Sequence, residues 1–193
     1  MNDTKNIRPP AVLKALEQET TTLGFAMASD PQTGCLLKTL AATKPKGTFL
    51  ELGTGTGIST AWILDGMDRA STLISIDNDE AVTAIARRHL GHDRRVTFHS
   101  VDGAVFLATL RELTCDFIFA DTWPGKYTHL DEALRLLKPG GLYIIDDLLP
   151  QPSWPAGHAA KVPLLVSALE SRNDLVVTKL RWSTGVIVAT KKA

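Results

Sequence analysis

The sequence predicts an α/β fold: a mostly parallel sheet of seven strands, helices on both faces, and an antiparallel hairpin at the C-terminal end. Three observations carry this. Short β-branched or apolar runs alternate with helix-like segments five times from residue 48 to residue 171, the pattern of parallel βα units with right-handed crossovers. The run Phe117-Ile118-Phe119-Ala120 is continuously apolar, as in a strand covered on both faces. The last two runs, 174–180 and 184–190, are joined only by Arg181-Trp182-Ser183, a link that fits a hairpin.

Each element follows from local pattern. Residues 1–10 are polar and end in Pro9-Pro10, so a loose arm is expected, free to dock on a neighbour in a homodimer. Val12, Leu13, Leu16 and Leu23 recur at helical spacing, and a second helix is expected over 32–43, ended by Lys44-Pro45-Lys46-Gly47. The first strand closes at Leu52 and a helix follows over 59–67. The strand 71–77 leads through Asn78-Asp79-Glu80, a cap with an acidic first turn, to a helix closed by Arg87-Arg88-His89 and Gly91. Val96 and Phe98 mark a third strand, and the next helix is expected to run through Leu113. After the fourth strand come a turn over 122–126 and a helix over 127–138, stopped by Pro139-Gly140-Gly141. A fifth strand, 142–147, precedes a stiff loop holding Pro150, Pro152 and Pro155, then a helix over 162–171.

At 193 residues the chain suits one domain, 1–193, with 1–45 as a helical cover and 46–193 as the core. Lys plus Arg equals Asp plus Glu at 21 each, which argues against broad attraction to nucleic acid or an anionic membrane. The start has no signal-type apolar segment and no run reaches the length of a membrane span, so a cytoplasmic location is expected. Cys35 and Cys115 lie far apart and read as reduced structural thiols.

The chemistry is concentrated first in Thr48–Thr60, T-F-L-E-L-G-T-G-T-G-I-S-T. Glycines at alternate positions behind a strand let a ligand lie against the backbone, and the helix that follows offers unpaired N–H groups. The dinucleotide fingerprint G-x-G-x-x-G/A asks for a small third residue, and here that position is Ile58. Glu51 inside the strand, followed by G-x-G-x-G, instead resembles the first motif of the class I S-adenosylmethionine-dependent methyltransferases. That resemblance implies a Rossmann-like methyltransferase fold with S-adenosyl-L-methionine as cofactor. It implies too that Glu51 meets the cofactor's ammonium while the turn of Gly53, Thr54, Gly55, Gly57 and Ser59 holds its carboxylate.

Ligands of open α/β sheets lie outside the carboxyl ends of the strands, where this chain keeps its acids. Asp77 is placed to accept from ribose hydroxyls, as either a nicotinamide cofactor or S-adenosylmethionine would need, or to cap a helix. In the methyltransferases an acid at the position of Asp102 commonly meets the adenine amino group; a capping role is the alternative.

Asp121 and the pair Asp146-Asp147 would repel one another if buried without a cation, and oxygen ligands suit Mg²⁺ or Ca²⁺. The stretches F-I-F-A-D-T-W-P-G-K-Y and L-L-K-P-G-G-L-Y-I-I-D-D resemble the catechol and caffeoyl-CoA type O-methyltransferases. There Asp121 and Asp146 match metal-ligand aspartates, and Asp147 stands where an asparagine ligand is usual. Trp123 matches a tryptophan beside the cofactor. The family's catalytic lysine, three residues after the first aspartate, is replaced by Pro124. The function implied is methyl transfer to a small-molecule hydroxyl, phenolic or catechol-like, with a metal assisting. Asp121, Lys126 and His158 are the catalytic candidates, with His129 beside them, and Trp154 is a candidate wall of the acceptor pocket. The alternatives are a metal-independent methyltransferase, an NAD-linked oxidoreductase and a silent cofactor-binding protein.

Overall fold

A computed structural model describes residues 2–5, 7–110 and 114–193. Seven strands form one sheet: β1 (Thr48–Leu52), β2 (Thr72–Asp77), β3 (Val96–Ser100), β4 (Cys115–Ala120), β5 (Leu137–Ile145), β6 (Leu175–Leu180) and β7 (Val186–Lys191). Their order is β3-β2-β1-β4-β5-β7-β6. All pairings are parallel except those of β7 with β5 and with β6. The expected single antiparallel strand is therefore β7, paired with β6 from Leu175↔Lys191 to Leu180↔Val186.

The helices are α1 (Leu13–Leu23), α2 (Pro31–Ala41), α3 (Ile58–Gly66), α4 (Glu80–Leu90), α5 (Gly103–Thr109), α6 (Leu130–Arg135) and α7 (His158–Glu170). Two apolar layers sandwich the sheet. One gathers Leu16, Leu37, Phe49, Trp62, Phe117 and Phe119 under α1 to α4; the other gathers Leu50, Leu52, Ile118, Leu134, Tyr143 and Ile145 under α5 to α7. Alternate residues of β1 and β4 thus supply opposite layers, which explains why both strands are largely apolar, with Glu51 in β1 and Asp116 in β4 the charged exceptions. Among the described residues no helix is long and apolar enough to cross a membrane.

Three boundaries differ from the sequence pattern for local reasons. Helix α6 starts three residues later than expected because residues 123–128 close a turn of their own, with the N–H groups of Lys126, Tyr127 and Thr128 all bonded to Trp123 O and His129 in a left-handed conformation at φ 55°. It ends at Arg135, and Leu137 already pairs with Cys115, so Pro139-Gly140-Gly141 lies within β5 across a register shift rather than ending a helix. Helix α7 starts at His158, earlier than 162, because Gly157 at φ 81° turns the chain into it and the helix tolerates Pro163. Helix α5 ends at Thr109, with Leu110 extended as its cap, short of the expected Leu113; residues 111–113 lie outside the described residues.

Cys115 is buried and Cys35 half-buried, and both are free thiols, as expected. Burial pushes the Cys115 thiol up to about 12.

Candidate active site

Strand order reverses between β1 and β4, and a cavity of about 400 Å³ opens at the carboxyl ends of the strands around that point, where an open α/β sheet leaves its crevice. The glycine turn and Asp77 form one side. Asp121, Trp123, Lys126, Asp146, Asp147 and His158 form the other, and residues 25–29, between α1 and α2, lie across the mouth.

The glycine side is built by close approach. Gly53, Gly55 and Gly57 all have positive φ, at 104°, 52° and 92°, a region costly for side-chain-bearing residues. At Gly57 a Cβ would stand 2.9 Å from Ala86 Cβ and 3.1 Å from its Cα, so this glycine lets α4 pack against the start of α3. Asp77 lines the cavity and accepts the Gly55 N–H at 2.8 Å and the Asp79 N–H at 3.0 Å. One carboxylate thus fixes the turn while facing the space where a ribose was expected.

Glu51 is not on the cavity wall. It is fully buried behind it, accepting hydroxyl hydrogens from Ser59 (2.6 Å), Ser75 (2.6 Å) and Thr60. Burial pushes its carboxyl up to about 7 against those three hydrogen bonds. The hydroxyl network around it reaches the cavity through Ser59, and through Ser75 to Thr54 at 2.6 Å. Asp102 likewise takes its alternative role: its Oδ1 accepts the N–H groups of Ala104 and Val105, capping α5, and it does not line the cavity.

On the opposite side the three acids do not form the ligand set that the resemblance implied. Asp146 accepts from Thr184 and, at 3.4 Å, from Thr33. Asp147, at φ 61°, accepts the Trp154 indole N–H on both oxygens, at 2.7 and 2.6 Å. Asp121 accepts from Ser29 at 3.5 Å and faces Lys126 Nζ at 3.9 Å. Each carboxylate is held by different donors, and among the described residues no three His, Cys, Asp or Glu side chains are grouped to hold a metal ion. Engaged by separate donors, the three carboxylates do not converge as a shared ligand set for Mg²⁺ or Ca²⁺ would. Burial and the neighbouring Asp146 push Asp121 well above the usual carboxylate range, and burial also raises Asp146.

His158 stands in the first turn of α7, almost fully buried. The Trp154 ring stacks on it at 4.2 Å, its Nε2 is 2.8 Å from the Tyr127 hydroxyl, and its Nδ1 is buried without a partner. Burial and the Lys126 charge hold the imidazole below its ordinary range. Trp123 meets the Tyr127 and His158 rings edge-on and is 40% exposed, a wall of the cavity rather than core. His129 lies outside this wall.

A family model described as a methyltransferase domain matches residues 50–148. The chain belongs to the methyltransferase domain family. A provisionally named O-methyltransferase of Mycolicibacterium vanbaalenii is 30% identical over 145 residues, 72% of this chain and 64% of that protein. This methyltransferase-family chain therefore spans just under two thirds of that relative's length. A crystal structure of a provisionally named O-methyltransferase from Klebsiella pneumoniae superposes with a TM-score of 0.85 at 25% identity, covering 97% of this chain and 93% of that one. The O-methyltransferase TomG of Streptomyces achromogenes, involved in tomaymycin synthesis and solved with S-adenosylmethionine, gives 0.85 at 22% identity over 99% and 94% of the two chains. The Rossmann-like methyltransferase fold expected for the sequence is thus the fold of the chain.

Sequence reasoning missed several of the residues that shape this family member's site. Ser75 and Thr60 hold Glu51, Thr184 holds Asp146, and residues 25–29 cover the mouth. Small hydroxyl residues carry no spacing signal, and Thr184 reaches Asp146 only because the β6–β7 turn folds back on 148–149, whose N–H groups bond Thr184 O.

Proposed function

We infer that the chain is an S-adenosylmethionine-dependent O-methyltransferase acting on a small-molecule hydroxyl of phenolic or catechol type. The observation that carries this reading is one cavity with two unlike sides. A backbone turn with Asp77 suits the amino-acid and ribose parts of the cofactor, and an aromatic wall with a neutral imidazole suits a flat, hydroxyl-bearing acceptor.

The glycine turn and Asp77 would hold the cofactor, with Ser59 and Thr54 kept in place by the network behind them. When bound, the cofactor supplies an electrophilic methyl on a cationic sulfur, which keeps the bonding electron pair as the methyl passes to the acceptor oxygen. Trp123 and Trp154 orient the acceptor ring, contributing mainly the geometric alignment that displacement requires. A phenol ionises near 10, so the oxygen needs its proton removed as it attacks. His158, uncharged at neutral pH, receives that proton.

The test is calorimetric titration with S-adenosylhomocysteine and with NAD, followed by a screen of catechols and simple phenols for methyl transfer by mass spectrometry. Binding of S-adenosylhomocysteine and a mass gain of one methyl on a phenol are expected. Binding of NAD alone would overturn the reading in favour of an oxidoreductase.

A further inference from the structure

We propose that Lys126 supplies the positive charge of the acceptor side of this cavity, neutralising Asp121 and offering hydrogen-bond donors to the acceptor oxygen in place of a divalent cation. The proposal rests on the methyl-transfer reading above.

The turn that carries Lys126 is pinned against the interior strands β1 and β5. Gly125 has φ 86°, its N–H bonds Thr128 O at 2.7 Å, and its carbonyl accepts from the buried Tyr143 hydroxyl. A Cβ there would stand 2.3 Å from Leu52 Cδ1, so only glycine lets the turn lie this close. With Pro124 at the position of the family's lysine, the chain turns back at Gly125 and delivers a lysine two residues later into the acid cluster. The Lys126 side chain is 2% exposed.

A buried ammonium carries three donors and needs partners. Those of Lys126 are weak ones: the Asp147 carbonyl at 3.5 Å, Asp121 Oδ1 at 3.9 Å and the face of the Tyr127 ring at 5.3 Å. Among the described residues no strong hydrogen bond saturates it, and it lines the cavity. The missing partner is an oxygen on a molecule in that cavity. Thr184 donates to Oδ1 of Asp146 and Trp154 to both oxygens of Asp147, and Lys126 is the cation positioned against the third acid, Asp121. An oxygen that becomes partly anionic as it attacks would bind such an ammonium more tightly in the transition state than in the ground state, which is what accelerates a step.

The experiment has two independent arms. In the first, chelator-treated wild-type protein is titrated with Mn²⁺ and followed by electron paramagnetic resonance, with and without S-adenosylhomocysteine; no saturable site is expected, and turnover should be unchanged by chelator or by added Mg²⁺. In the second, Lys126→Ala is expected to lower kcat by roughly 100- to 1,000-fold, the loss typical of one such donor, while its affinity for S-adenosylhomocysteine stays within about threefold. Lys126→Arg, which keeps a charge, should recover part of that loss. Thermal melts confirm that both variants are folded; should the alanine variant unfold, the Mn²⁺ arm decides. Saturable Mn²⁺ binding on which turnover depends, or an alanine variant with wild-type kcat, overturns the proposal. Failure of the wild type to bind S-adenosylhomocysteine would sink the methyl-transfer reading instead, and the two failures are read from different titrations.

Discussion

Glu51→Gln should remove a pH dependence of stability that the wild-type chain carries in its core. The Glu51 carboxyl, fully buried among the hydroxyls of Ser59, Thr60 and Ser75, is raised from 4.5 to about 7, chiefly by burial. A raised acid binds its proton more tightly folded than unfolded, so its stabilisation is complete below pH 4.5 and is lost as pH climbs through 7. A shift of about 2.5 units at about 1.4 kcal/mol each spans about 3.4 kcal/mol, of which about 2 kcal/mol falls between pH 5.5 and pH 8. For a chain of this size that is a fall in Tm of roughly 4–8 °C. Glutamine keeps the shape and has no proton to lose. The assay is urea denaturation of both proteins at both pH values, read as the difference between the two pH effects. Other titrating groups, Asp121 and Asp146 among them, are common to both proteins and cancel in that difference. Parallel curves for wild type and variant would refute the reasoning.

Other perturbations address the rest of the site. Asp77→Ala removes the acceptor of the Gly55 N–H and the wall that faces the ribose, and should weaken S-adenosylhomocysteine binding roughly 10- to 100-fold by calorimetry, the worth of about one hydrogen bond to a charged group. Gly57→Ala puts a methyl 2.9 Å from Ala86 Cβ at a φ of 92°, and should cost about 1–3 kcal/mol in urea denaturation; wild-type stability would contradict the packing role given to that glycine. His158→Gln should lower kcat by roughly 100-fold or more and abolish the acid limb of the pH–rate profile. That limb should lie below the ordinary imidazole range, because burial and Lys126 keep the ring neutral until the solution is more acidic. An unchanged profile would remove His158 from the proton path.

Much of the fold was legible because it rests on patterns that burial imposes directly. A strand between two helical layers is largely apolar on both faces, and β4 and, apart from Glu51, β1 are; a short link between β-branched runs leaves little choice but a hairpin, and β6–β7 is one, joined by residues 181–185. Alternate glycines behind β1 marked a close backbone approach, and the positive φ at all three is that approach. The boundaries that shifted were those where a turn outcompeted helical periodicity. The helix expected over 127–138 stops short because β4 needs a parallel neighbour, and pairing Leu137 with Cys115 draws that residue into the sheet.

The direction in which an acid points was less legible than its presence. Glu51 and Asp102 both sit where the sequence placed them, yet one turns into a pocket of hydroxyls and the other caps its own helix. Nothing in E-L-G-T-G-T-G specifies that Ser75, one strand away, will supply a hydroxyl. The acceptor side shows the same rule with the opposite sign. Three aspartates at adjacent strand ends call for a cation on electrostatic grounds, and Lys126 Nζ stands 3.9 Å from one of them, Asp121. What charge could not specify is its source. That depends on whether the residue after Trp123 continues the chain away from the sheet or turns it back. Pro124 fixes one φ, Gly125 takes a conformation closed to other residues, and together they return the chain so that the next side chain, Lys126, enters the cluster. The departure from the family's lysine position and the entry of Lys126 beside Asp121 are then one structural event, the turn over residues 123–128.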